Sequence, residues 1–244
     1  MFAMCRIRAL VMTVLLLGQN PLWAGSFHVT PIRVVLSAQL ASATLTVKNN
    51  GDEPVVIQAQ TVAWLQENGQ DQYPASEDLL ATPPIFTIQP GATQIVRVGM
   101  RRIVRVDQEL SYRLFLQEVP PPPKSGFLGL QVALRIGIPI FIAPKVDVAP
   151  VLNWTVERQA GNQIKVRLTN HGKAHVQVTD FSIFRPDREP PLAVQQVSAY
   201  LLPGQNRTWI LPTDPGQALS GDKVRVIANT DIGKMDTDVA LEKQ

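Results

Sequence analysis

The stretch that decides the fold is "LGLQVALRIGIPIFI", residues 128–142. Every even position in it is a large aliphatic: Leu128, Leu130, Val132, Leu134, Ile136, Ile138, Ile140 and Ile142. The odd positions, Gly129, Gln131, Ala133, Arg135, Gly137, Pro139 and Phe141, are mostly small or polar. A period of two lays one apolar row along a strand, whereas a helix needs 3.6. Strands average about 5–6 residues, so the pattern predicts a single strand far longer than usual. Its distal part, 138–142, is expected to complete its own core. Its proximal part, 128–136, is expected to offer a ladder edge and an apolar row to a partner.

Working outward, the chain opens "MFAMCRIRALVMTVLLLGQNPLWAGS". Arg6 and Arg8 precede an apolar run, and Ala24 supplies a small residue at a cleavage point. This is the layout of a secretory signal peptide over residues 1–24. The only cysteine, Cys5, lies within it, so the mature chain is expected to lack disulfides and thiol chemistry. Two of the charges in the net +3 also belong to that segment, which leaves +1 and no reason to invoke nucleic acid.

Twenty prolines and repeated Val/Ile/Thr runs favour an all-β chain. Strands are predicted near 28–37, 43–49, 55–64, 85–88, 94–99 and 111–118, ahead of the long one. An internal echo sets the domain count. "SATLTVKNNGDEPVVIQA" (42–59) breaks at Asn49-Asn50-Gly51, and "NQIKVRLTNHGKAHVQVTDF" (162–181) breaks at Asn170-His171-Gly172. Both read as paired strands around a tight turn. "IQPGATQIVRV" and "LLPGQNRTWIL" then repeat a Pro-Gly turn leading into a strand. Two immunoglobulin-like sandwiches are expected, over 25–144 and 145–244, with residues 145–150 as the hinge. One elongated sandwich is the alternative.

No catalytic or metal-binding constellation emerges, and neither a cofactor nor a small-molecule substrate is implied. His171 and His175 have metal-pair spacing but flank a predicted turn, which reads as solvated. Trp64 reads as a core aromatic. Arg33, in "TPIRVVLSA", is set among aliphatics, a costly place for an unpaired charge. It is either a guanidinium snorkelling from a sheet rim or one held for a carboxylate.

The chain resembles the PapD-like periplasmic chaperones of the chaperone–usher pilus pathway. "IRVVLSAQLASATLTVKNNG", "LLATPPIFTIQPGATQIVRV", "SYRLFLQEVPPPP" and "LQVALRIGIPIFIAP" match that family's segments in order over most of 28–144. Weaker matches, "VRLTNHGKAHVQV" and "YLLPGQNRTW", extend into the second half. The resemblance implies two immunoglobulin-like domains in a boomerang and a periplasmic, non-enzymatic role. Its partners would be pilin, fimbrial or coat subunits and an outer-membrane usher. Its donor strand would present Leu128, Leu130, Val132, Leu134 and Ile136 to a subunit lacking its last strand. Arg33 would hold the subunit's C-terminal carboxylate. When free, the sticky edge is expected to cap itself in a homodimer. A structural pilin or adhesin subunit is the competing reading.

Two positions depart from the family pattern. Pro139 stands where a second cationic anchor is usual, and Ala143 where an interdomain arginine is usual. Such endings resemble the archaic-type branch. Arg135, on the face of Pro139, lies about 13 Å away along the strand, too far to replace the missing cation directly. Proline there predicts a bulge or an edge.

Overall fold

The structure, a computed structural model, describes residues 27–102, 106–122, 132–186, 189–213 and 221–242. The signal segment, Cys5 and the donor positions Leu128 and Leu130 lie outside the described residues. No helix occurs among those described.

The first sandwich contains β1 (Phe27–Thr30), β2 (Val34–Leu36), β3 (Ser42–Asn49), β4 (Val55–Ala63), β5 (Leu65–Glu67), β6 (Gln70–Gln72), β7 (Leu79–Thr82), β8 (Ile85–Ile88), β9 (Thr93–Met100), β10 (Leu110–Glu118) and β11 (Arg135–Ile142). A four-stranded sheet, β1-β3-β9-β7, faces a five-stranded one, β2-β11-β10-β4-β8, and β5-β6 is a separate hairpin. The second sandwich contains β12 (Leu152–Gln159), β13 (Gln163–Asn170), β14 (Val176–Phe184), β15 (Ala193–Leu201), β16 (Asn206–Pro212), β17 (Lys223–Thr230) and β18 (Gly233–Glu242). There the order β15-β14-β17-β18-β12-β13-β16 is held together by a short parallel pairing of β12 with β18 at Val156↔Leu241 and Glu157↔Glu242. Period-two alternation builds both cores: Leu45, Val47, Val96, Val98, Leu114 and Leu116 are fully buried in the first, and Val166, Leu168, Val178 and Val226 in the second.

Several expectations about the strands are corrected. The strand expected over 28–37 is two strands in opposite sheets, because Pro31 cannot donate to a ladder and the chain crosses over there. The asparagine turns do not close hairpins. β3 pairs with β1 and β9, while β4 pairs with β10 and β8, and β13 and β14 likewise share no ladder. Each turn is a corner between sheets, and a buried asparagine holds it. Asn49 donates to Glu53 O and Ile88 O and accepts from Gly51 N. Asn170 donates to Ala174 O and accepts from Gly172 N and Val151 N. A side-chain amide with donors and an acceptor satisfies a corner's loose backbone groups without a strand partner.

The long strand is shorter than its sequence pattern. β11 starts at Arg135, and residues 132–134 are not in a strand. β10 ends at Glu118, and the next residue due to face β11, Pro120, has no N–H to donate, so β10 offers no further rungs. Leu134 is still tied by Glu118 N→Leu134 O. Leu134 and Ile136 pack partly on their own core, which Ile138, Ile140 and Ile142 complete. No bulge occurs at Pro139, since the β10–β11 register runs unbroken from Gln117↔Arg135 to Leu110↔Ile142.

Candidate functional site

The site grows from the register of three strands. β2 runs parallel to β11, with Val34 opposite Ile140. Arg33 precedes Val34 by one residue and is therefore level with Pro139. Across the other edge of β11, Pro139 pairs with Arg113 of β10. Arg33, Pro139 and Arg113 thus form one rung. Val34 and Ile140 point into the core, so the rung projects from the opposite face. That face meets the second sandwich.

Arg33 reaches across to it. Its Nη1 donates to Asp231 Oδ2 at 2.8 Å, and its Nη2 donates to Gln177 Oε1 at 2.8 Å and to Tyr200 Oη at 3.0 Å. Partial burial works against its charge, but the bonds to Tyr200 and Asp231 outweigh it, so the guanidinium is held above its ordinary pKa. Arg33 is therefore neither a simple rim snorkel nor a free cation: its neighbours fix it in place.

Arg113 lies flat on Trp64, 3.8 Å from the ring centroid, and 5.6 Å from the ring of Tyr200, which Arg33 also approaches at 5.5 Å. Its Nη1 donates to Gly137 O at 3.2 Å, and its buried Nε has no hydrogen-bond partner. Sequence alone does not single out Arg113, because its meaning lies in cross-strand register with Pro139. The available signal is a charge alternating with core residues in "SYRLFLQ".

The contact between sandwiches is aromatic at its centre. Trp64, Phe141 and Leu202 are buried together, with Tyr200 against them. Trp64 is a core residue, but of this interdomain cluster. His175, expected in a solvated turn, is instead 11% exposed and stacked on Phe141 at 3.5 Å. Its Nδ1 lies 2.6 Å from Glu109 Oε1, and its Nε2 lies 3.8 Å from the carboxylate of Asp231. His175 and Arg33 join Arg113 and Lys173 as basic side chains at a junction where Ala143 supplies none. Gln66 adds a neutral clasp, donating to Tyr200 O and accepting from Leu202 N. Among the described residues no group of His, Cys, Asp and Glu could hold a metal ion.

Among the described residues, on the β2 side of β11 only Ile140, Phe141 and Ile142 are paired. Residues 135–139 present an open edge there, and Val132 just upstream is 65% exposed. An open edge thus leads straight to two arginines.

Residues 26–146 match the family described as "Pili and flagellar-assembly chaperone, PapD N-terminal domain". Chaperone protein FimB/FhaD of Bordetella pertussis is 27% identical over 51% of this chain and 53% of its own length. Chaperone protein PmfD of Proteus mirabilis is 31% identical over 55% and 54%. The chain spans about half the length of the curated relatives it matches. Among solved structures, the CsuC–CsuE chaperone–tip adhesion subunit complex of archaic Csu pili from Acinetobacter baumannii matches with TM-score 0.64 at 19% identity, covering 90% of this chain and 99% of that one. The Salmonella enterica SafA pilin–SafB chaperone complex matches with TM-score 0.59 at 20% identity, covering 90% and 98%. Through residues 26–146, the chain belongs to the PapD family of pili and flagellar-assembly chaperones.

Proposed function

We propose that this protein is a periplasmic chaperone that captures pilin, fimbrial or coat subunits on the open edge of β11 and passes them to an outer-membrane usher. The observation that carries the reading is the rung Arg33–Pro139–Arg113 at the end of that edge. A strand adding there continues the line of β2, and β2 is parallel to β11. A parallel newcomer advances toward Arg33 with its C-terminus leading. Its terminal carboxylate then arrives between two guanidiniums, one on each side of β11, and each bond of that kind contributes about 1.5–3 kcal/mol. Arg113 supplies the second cation that Pro139 does not.

The apolar row supplies the rest. Leu128, Leu130, Val132, Leu134 and Ile136 donate to the subunit's groove, each worth about 1.5–3 kcal/mol of gross transfer energy when fully buried. Leu134 and Ile136 give less, being already partly packed at home. This is strand addition, an established mode of peptide recognition of which chaperone–pilin complexes are a known example. Residues 1–24 direct export, and cleavage falls near Ala24. In the absence of a subunit, two copies cap each other edge to edge. A pilin subunit is the weaker reading, because the first sandwich keeps its own final strand, β11.

Co-expression in a bacterial periplasm with pilin subunits of the same organism tests the proposal. A soluble one-to-one complex is expected, with the subunit degraded when the chaperone is omitted. Subunit levels independent of the chaperone would overturn it.

A further inference from the structure

Two residue pairs upstream of the rung, at the next position on the same face, a further cation lies on a second aromatic platform. Gly137 pairs with Phe115, whose ring lies against its bare backbone, and a Cβ at 137 would meet Phe115 Cε1 at 2.9 Å. Arg135 Cζ sits 3.8 Å from the centroid of the Phe115 ring. Tyr73 meets that ring edge-on at 5.2 Å, and its hydroxyl donates to Asp71 Oδ2. Among the described residues neither Arg113 nor Arg135 forms an ion pair, whereas Arg33 is matched by Asp231. The face therefore carries two arginines without carboxylates, and a captured C-terminus neutralises only one.

Resting on the capture reading above, we infer that Arg135, set by Phe115 and Tyr73, reads an acidic side chain at the penultimate position of the captured strand. The register gives the position. A newcomer in line with β2 can advance to the level of Ile138 before Arg33 occupies the next rung. Side chains alternate, so its last residue faces the core row and its penultimate residue, level with Gly137, emerges beside Phe115. Gly137 contributes no side chain to obstruct it. The chemistry gives the class. A guanidinium laid flat on a ring keeps its N–H edge free, and that edge fits a carboxylate in two parallel hydrogen bonds.

The test uses the mature full-length chain and synthetic octapeptides of alternating aliphatics with a free C-terminal carboxylate. Their penultimate residue is Glu, Gln, Lys or Tyr, and binding is read by fluorescence anisotropy. Wild type should prefer Glu over Gln roughly fivefold, a modest ratio because Arg135 is exposed, and should discriminate further against Lys. Arg135→Ala should abolish the preference and Arg135→Glu should invert it toward Lys. No preference in wild type, a preference that survives in Arg135→Ala, or Tyr binding tighter than Glu would each overturn the inference. The capture reading has its own control in the C-terminally amidated peptides. If amidation leaves affinity unchanged, or no peptide binds, the anchor reading fails as well.

Discussion

The two sandwiches share a plan down to their corner asparagines and Pro-Gly turns, and they end in the same way. In each, the last strand pairs fully on one edge and only briefly, in parallel, on the other. β11 meets β2 over Ile140, Phe141 and Ile142, and β18 meets β12 at two positions. What differs is how the uncovered part is dressed. β18 exposes Lys234, Asp236 and Asp238, with Asp236 bonded to Arg225 at 2.6–2.7 Å. The gap between β12 and β18 is lined by Asn153, Thr237, Asp238 and Glu242 as well as Trp154 and Met235. β11 carries no charge beyond Arg135, and its approach is aliphatic. Charges on an edge deter further pairing, and an apolar edge invites it. One topological gap is therefore closed to partners in the second sandwich and left open in the first.

The largest break in this comparison comes from placing a charge where the first sandwich has none. On the proposed donation, Val132→Asp would put a carboxylate into the subunit's apolar groove without a partner. Co-purified subunit should fall about a hundredfold or more, an effect of the same order as losing a buried aliphatic and stranding a charge. Thermal stability should hardly move, since Val132 is exposed at home. Leu134→Asp should also abolish capture but lower the melting temperature, because Leu134 packs on its own core. Normal subunit yield with Val132→Asp would falsify donation by this segment.

The anchor comes next. Removing one charge-assisted bond should weaken capture by roughly 10- to 100-fold, so Arg33→Ala and Arg113→Ala are each expected in that range. Arg33→Ala should also blur the donor register, because a one-residue slip turns every aliphatic outward. Deleting the subunit's last residue should add little in the double Arg33→Ala/Arg113→Ala background, and this is measured as a double-mutant cycle on complex yield. Full additivity would place the carboxylate elsewhere.

These two effects divide what local sequence carries from what it does not. The alternation of residues 128–142, the Pro-Gly turns and the oddity of Arg33 are properties of single segments, and each is legible within its own stretch. Arg113 and His175 escape such a reading for one reason: each acquires its role from a residue far away in the chain, Pro139 and Glu109 respectively. The asparagine corners resemble hairpins because a tight turn looks the same whether the next strand joins the same sheet or crosses to the other. The alternation also sets the start of β11 too early, because it continues past the point where β10 stops offering partners.

A milder change should make the second sandwich behave like the first. Lys234→Ile combined with Asp238→Val strips the exposed face of β18 of two charges and leaves the Asp236–Arg225 pair intact. The fold should persist, since both positions are exposed. Self-association should rise roughly tenfold as an unguarded edge becomes available. Sedimentation velocity over a concentration series reads this directly, and an unchanged monomer fraction would mean that geometry alone, without charge, closes that edge.

The smallest effects lie between the sandwiches, where two polar contacts of different kinds can be set against each other. Lys173 and Asp107 are 3.5 Å apart, but their side chains are 56% and 89% exposed. Water screens such a pair, and pairs of this sort contribute about 0–1 kcal/mol, so Lys173→Ala should leave the melting temperature nearly unchanged. His175 is different in kind. Its ring is stacked on Phe141 and bonded to Glu109, whose own exposure is 9%. His175→Ala removes the stack and leaves Glu109 with the backbone amide of residue 175 as a remaining donor. The cost is about 1.5–3 kcal/mol for the lost bond to a carboxylate, which for a chain of this size corresponds to a fall of roughly 3–12 °C. Capture should weaken only a few-fold, because Arg33 keeps Asp231, Gln177 and Tyr200 as its direct supports. Equal shifts for the two variants in a melting series would mean that the aromatic cluster alone holds the sandwiches together, and that the buried histidine adds no more than the exposed lysine.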